Sequence, residues 1–167
     1  RRSFMQDAAQ LAKRHLADPR PTAVLLIDLD HFKSINDRFG HAVGDRVLEL
    51  FALTARNSVR SVDLLGRLGG EEFAAILADM SREKAVAVAE RIRSSFAQAA
   101  IEVDNRPLGA TVSIGVVHCQ EPLLDVHELL AQADQALYCA KENGRNRVEV
   151  ATLDMLLDQR ANGAFRQ

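Results

Sequence analysis

Apolar positions at Phe4, Ala8, Leu11, Ala12 and Leu16 repeat with a helical period, and the prolines of "DPRP" at 18–21 end that helix because they cannot continue it. The pattern then changes: "TAVLLIDLD" at 22–30 is an unbroken apolar run that ends in carboxylates, as a buried strand does. Residues 33–57 read as helix interrupted around Gly40 to Gly44. "DLLGRLGGEEFAAIL" at 63–77 reads as a hairpin whose Gly69–Gly70 turn tolerates positive φ. Ser81 can cap a helix over 82–99, with Ala85, Val88, Ala89, Ile92 and Phe96 on one face. "GATVSIGVV" from 109 is a further strand, and 125–142 gives the cleanest amphipathic helix, with Val126, Leu129, Leu130, Ala133, Ala136, Leu137 and Ala140 in register. Gly144 offers its stop, "NRVEV" a last short strand, and the tail from Ala151 reads as a helix. Helices interleaved with a mixed sheet predict an α/β sandwich of one sheet and flanking helices.

Composition narrows the function more than the fold. The chain has 167 residues, 47% hydrophobic and 26% charged, the balance of a single compact soluble domain with a filled core. A net charge of -2 argues against sequence-independent duplex binding, which needs a clustered cationic face. Seven Phe, one Tyr and no Trp give no base-stacking platform, so no nucleic-acid partner is expected. Cys119 and Cys139 lie without CxxC spacing among apolar residues, which predicts buried reduced thiols. No apolar run reaches the ~18 residues of a membrane span, and the start lacks a signal-peptide layout, so a cytoplasmic location is expected. Because the first residue is Arg1, the piece is expected to come from a longer chain.

Three constellations carry chemistry. The first strand ends in Asp28 and Asp30, and the hairpin tip carries Glu71 and Glu72, so four carboxylates can converge where α/β sheets present ligands. Such hard oxygen donors suit Mg²⁺ with phosphate oxygens; any one of these acids alone reads better as a solvated strand end, and the case rests on the set. "HFKSINDRFGHAVGD" at 31–45 adds Lys33, Asn36, His41 and Asp45, a mixture that fits a nucleotide. Lys33 suits phosphate, and a carboxylate such as Asp45 accepts from guanine N1–H and N2–H₂, a donor pair adenine lacks. Local turn bonds and a helix break explain the same residues structurally. "AKENGRNR" at 140–147 sets Lys141, Arg145 and Arg147 at a helix C-terminus, where cations suit both the helix dipole and a triphosphate. There is no GxxxxGK[ST], GxGxxG or HExxH, which excludes P-loop, dinucleotide-binding and zincin chemistry of those types.

Taken together, "DLDHFKSINDRFGHAVGD" at 28–45, "GGEEF" at 69–73, "SIGV" at 113–116 and "ADQALYCAKENGRNRV" at 133–148 resemble the GGDEF family of diguanylate cyclases, in order and at its spacing. The resemblance covers roughly residues 1–150, with a tail over 151–167. It implies a mixed five-stranded central sheet flanked by helices, related to the catalytic cores of nucleotide cyclases and polymerase palms. It implies further that Asp28, the backbone carbonyl of Leu29 and Glu71 hold two Mg²⁺ ions, with Mn²⁺ as an alternative, on a GTP triphosphate. Glu71 would also take the proton from an attacking 3′-hydroxyl, and Lys33 would stabilise transition-state charge. Lys141 and Arg145 match phosphate ligands, Asn36 and Asp45 guanine readers, and His41 lies close to the nucleoside. Two subunits would face each other, each 3′-hydroxyl attacking the other nucleotide, to give cyclic di-GMP and pyrophosphate.

"RSVD", Arg60 to Asp63, stands where the family's RxxD product-inhibition site lies, and Arg91 matches a second inhibitory arginine. Without the motif register, the pair reads as a surface ion pair. Departures are Leu68, where an aromatic residue is common, and His31, where an apolar one is often seen. The start at "RRSF" falls inside the family's usual opening motif, so an N-terminally clipped domain and an upstream sensor in the full chain are expected. The rival readings are a receptor that binds cyclic di-GMP and makes nothing, and a module that only dimerises.

Overall fold

The computed structural model describes residues 2–120 and 125–152; the helix expected over the tail lies almost entirely outside these. β1 (Thr22–Leu29) is buried at every position, as happens to a strand in the middle of a sheet covered on both faces. Antiparallel β3 (Glu72–Ala78) and β6 (Val112–Cys119) flank it. β2 (Leu64–Gly69) pairs with β3, and β7 (Val148–Val150) runs parallel to β6, giving the order β2-β3-β1-β6-β7. This is the mixed five-stranded sheet that the motifs implied.

Strand side chains alternate between faces, and here the alternation separates two cores. Ala23, Leu25, Ile27 and Leu29 pack with Phe73, Leu77 and Ile114 against α2 (Phe32–Phe39), α3 (His41–Asn57) and α4 (Arg82–Ala99). Phe51 is fully buried there, edge-on to Phe73 at 4.6 Å and to Phe96 at 5.2 Å. Val24 and Leu26 face the other way, toward Phe4 and Ala8 of α1 (Arg2–Ala17) and Ala133 and Leu137 of α5 (Val126–Glu142). Asp28 shares the parity of Val24 and Leu26. The carboxylate at the strand end therefore belongs to the α5 side.

Gly115 sets how closely α5 approaches. A Cβ there would stand 2.0 Å from the Ala133 carbonyl oxygen and 2.4 Å from the Leu137 nitrogen, so only glycine lets this helix lie on β6. Asp125 caps α5 by accepting from the backbone N–H of His127 and Glu128, at 2.8 and 3.2 Å. Ser81 caps α4 in the same way, through the N–H of Lys84.

Two expectations are corrected, and one element was not foreseen. The break between α2 and α3 occurs at Gly40 alone, with φ 86°, while Gly44 is buried inside α3. The low helix propensity of glycine makes Gly44 resemble a breaker in sequence, but its role is to leave room, as described below. A two-stranded hairpin of β4 (Glu102–Val103) and β5 (Arg106–Pro107) turns through Asp104 and Asn105, both at positive φ, and is too short to register as a periodic pattern. Cys119 and Cys139, expected to be buried, are half-buried instead.

Candidate active site

The end of β1 is fastened to the hairpin tip by backbone geometry. Leu29 N–H donates to the Glu71 carbonyl at 3.3 Å, and Arg67 Nε donates to the Gly70 carbonyl at 2.8 Å, holding a turn in which Gly70 has φ 50°. In the sheet, Asp28 lies opposite Glu72 on one side and Ser113 on the other. Lys141 Nζ stands 3.1 Å from Asp28 Oδ1 across the α5 face. Burial pushes the Asp28 carboxyl up; Lys141 pulls it down, and the charges of Glu71 and Glu72 push it up again, leaving it above the usual range. The ammonium does not fully compensate this acid.

Asp30 is not part of that group. Its carboxylate accepts from Thr111 Oγ1 and Ser113 Oγ, both at 2.7 Å, and from the Asn146 N–H at 3.0 Å. It is 4% exposed and fully engaged, so it ties β1 to the start of β6 and to the turn after α5. In that turn Gly144, Arg145 and Asn146 all have positive φ, and Arg145 N–H donates to the Ala140 carbonyl at 2.9 Å. Asp30 thus fixes the segment carrying Arg145. Arg147 turns away instead, 3.7 Å from Glu149, with its carbonyl accepting from Ile114 N–H.

On the other face, α2 and α3 meet at a polar notch. Asn36 Oδ1 is buried and has no hydrogen-bond partner among the described residues, an arrangement that usually costs about 1–3 kcal/mol. It lies against Gly44, where a Cβ would stand 1.9 Å from that oxygen. Asp45, exposed at the next position, opens onto a groove of about 570 Å³ between α3 and β2, lined also by Leu48, Arg56, Leu65, Arg67 and Phe73. Lys33 and His41 are exposed in the first turns of α2 and α3.

The RxxD turn forms a separate cluster at the far end of α3. Asp63, whose side chain is 1% exposed, accepts from Arg60 N–H at 2.8 Å, Arg60 Nε at 3.1 Å and Arg60 Nη2 at 2.7 Å. Arg60 also donates to the Ala78 carbonyl at the end of β3. Arg56 Nη2 donates to the Arg60 carbonyl at 2.5 Å, and Arg91 Nη2 to the Ser58 carbonyl at 2.7 Å. Arg91 therefore stands beside this turn, on α4, a contact that spacing along the chain does not show and only the family resemblance suggested.

Comparison with known proteins decides what these residues belong to. The family described as "Diguanylate cyclase, GGDEF domain" matches residues 1–147. The chain belongs to the GGDEF family. It is 45% identical over 138 residues to the probable diguanylate cyclase DgcT of Escherichia coli K12, covering 80% of this chain and 30% of that protein. It is 41% identical over 150 residues to the response regulator PleD of Caulobacter vibrioides, covering 89% and 33%. This GGDEF chain thus spans about a third of the length of these curated relatives. Among solved structures, the coiled coil and GGDEF domain of DgcB from Caulobacter crescentus, in complex with c-di-GMP, superposes with a TM-score of 0.84 at 27% identity, covering 90% of this chain and 80% of that one. The active GGEEF domain of a diguanylate cyclase from Vibrio cholerae gives 0.82 at 35% identity, covering 91% and 96%.

The donors of this GGDEF domain fit a hard divalent cation only in company. Among the described residues, no group of three or more His, Cys, Asp or Glu could hold a metal by itself. One buried carboxylate beside two hairpin acids suits Mg²⁺, which takes one or two carboxylates and fills its shell with water and phosphate oxygens. Sequence reasoning missed the fastening role of Asp30 and the space-making role of Gly44. The DxD spacing and the Thr and Ser opening the "SIGV" strand were the available signals for the first. The second had none.

Proposed function

We propose that this GGDEF domain forms half of a diguanylate cyclase active site and acts as a homodimer. Each subunit binds one GTP, with Asn36 and Asp45 reading guanine, His41 beside the nucleoside, and Lys141 and Arg145 on the phosphates. The 3′-hydroxyl of each nucleotide attacks the α-phosphorus of the other, the bond to pyrophosphate breaks, and two such transfers close cyclic di-GMP. Glu71 takes the hydroxyl proton, and Lys33 offsets charge that develops on the phosphoryl oxygens. Asp28, the Leu29 carbonyl and Glu71 would hold Mg²⁺ or Mn²⁺, which when bound offsets the negative charge of attacking and leaving oxygens. A two-fold product suits an isologous pair of half-sites. Product returns to the turn of Arg60, Asp63 and Arg91 as a feedback inhibitor, its phosphates paired with guanidinium groups. The activity of the longer protein, including any sensor domain that brings the subunits together, is part of the same proposal.

The observation that carries the reading is Asp28, a buried and incompletely compensated carboxylate held between the glutamates of the hairpin and Lys141. A receptor working only through the RxxD turn has no use for it. Incubation of the protein as a forced dimer with GTP and Mg²⁺, with products separated by mass, should yield cyclic di-GMP and pyrophosphate. No pyrophosphate together with tight cyclic di-GMP binding would replace the enzyme with a receptor.

A further inference from the structure

The position next to Asp28 is taken by a cation of the protein's own. Lys141 Nζ lies 3.1 Å from Asp28 Oδ1, with side chains 33% and 11% exposed. The contact is long-range in sequence, made because Asp28 has the parity of the α5-facing residues and because Gly115 lets α5 approach. An ammonium within hydrogen-bond distance of a carboxylate oxygen occupies one of its lone-pair positions and repels a second cation brought to the same group. The rest of the acidic group is too sparse to take a metal without help, since among the described residues no three ligands cluster.

We propose that Lys141 is the resident counterion of the metal site, and that it makes metal and nucleotide enter together. This inference rests on the reading of the site as one for a metal–triphosphate. A free divalent ion must displace Lys141 from Asp28 and leave its ammonium half-buried with no partner, which opposes binding. A metal carried on a triphosphate brings the new partner with it: Lys141 moves from the carboxylate to a phosphate oxygen as the metal takes the carboxylate. The same lysine is then a phosphate ligand in the loaded site and a metal competitor in the empty one. Its exposure, a third of the side chain, leaves it free to make that move.

The test reads metal binding without turnover. Mn²⁺ alone, titrated into the full chain and followed by its electron paramagnetic resonance signal, should show weak binding to the wild-type protein. It should bind at least tenfold tighter to Lys141→Met, and the gain should vanish in Lys141→Met combined with Asp28→Asn. For the Mn²⁺ complex of a non-hydrolysable GTP analogue the order should reverse, with Lys141→Met binding at least tenfold more weakly than wild type. Circular dichroism melting of Lys141→Met checks that the fold is kept, and Lys141→Gln repeats the comparison if Met unfolds the protein. Equal Mn²⁺ affinity in the wild type and either variant would overturn the counterion role, even with the nucleotide reading intact. Absence of any binding of the GTP analogue to wild type would instead overturn the nucleotide reading.

Discussion

The two ends of the sheet treat their charged groups in opposite ways. At the RxxD turn the buried acid is matched: Asp63 accepts three hydrogen bonds from Arg60, and the Arg60 and Ser58 carbonyls accept from Arg56 and Arg91. At the tip of β1 the groups are left short. Asp28 has one ammonium among three carboxylates, and on the other face of the sheet, in the α2–α3 notch, Asn36 Oδ1 has no hydrogen-bond partner among the described residues. The difference teaches where ligand binding repairs a cost of folding and where it must compete with bonds already made. A metal–nucleotide at the β1 tip would relieve charge and satisfy a buried acceptor. A ligand at the turn would gain only by drawing Arg60 and Arg91 out of existing contacts, and the proposed feedback role would then need accumulated product rather than its first molecules.

The largest expected effect breaks the β1 tip chemically. Glu71→Gln keeps the shape of the hairpin but removes the base and a donor of full charge, so turnover of GTP should fall by about 10³-fold, within the range for loss of a general base. Full turnover in the Gln variant would move the proton transfer elsewhere. Next, Arg60→Ala should leave the Asp63 carboxylate buried with only a backbone N–H, destabilising the fold by about 1–3 kcal/mol in urea titration. The same variant should need at least tenfold more cyclic di-GMP for half inhibition. An unchanged melting midpoint would show that the turn is not the self-satisfied structure its contacts describe.

Gly44→Ala should sharpen the contrast from the other end. The added methyl evicts the Asn36 carboxamide from its notch, while helix propensity improves by up to about 1 kcal/mol. Stability should hardly move, but discrimination of GTP over ATP in equilibrium binding should drop about tenfold, or ~1.4 kcal/mol. The last expected effect on the fold has the opposite sign, a gain. Asp28→Asn removes a buried charge that its surroundings only partly compensate, and should raise stability by about 0.5–2 kcal/mol while abolishing turnover, the trade expected where function keeps a strained group. A loss of stability in this variant would make the Lys141 ion pair a net support of the fold.

Much of the fold was legible because periodicity survives in single segments. β1, the hairpin, α4 and α5 each announce themselves through an apolar period and a cap or turn residue, and the structure places them within a residue or two of their expected bounds. The β4–β5 hairpin was not legible, since strands of two residues carry no period. Within the site, the sequence brought Asp28 and Asp30 forward as equals. They share a parity, but the strand ends at Leu29, and beyond it Asp30 is taken by Thr111, Ser113 and Asn146.

What the sequence determined by itself was therefore the set of elements, their apolar faces and the motif residues of a GGDEF domain, all of which depend on near neighbours along the chain. What only the tertiary structure decided was pairing between distant segments. Glu71 reaches β1 through the Leu29 N–H, Lys141 reaches Asp28 across 113 positions because Gly115 admits α5, and Arg91 reaches the RxxD turn from another helix. Spacing in sequence cannot encode these distances, because each depends on how two faces pack once the sheet has set their register.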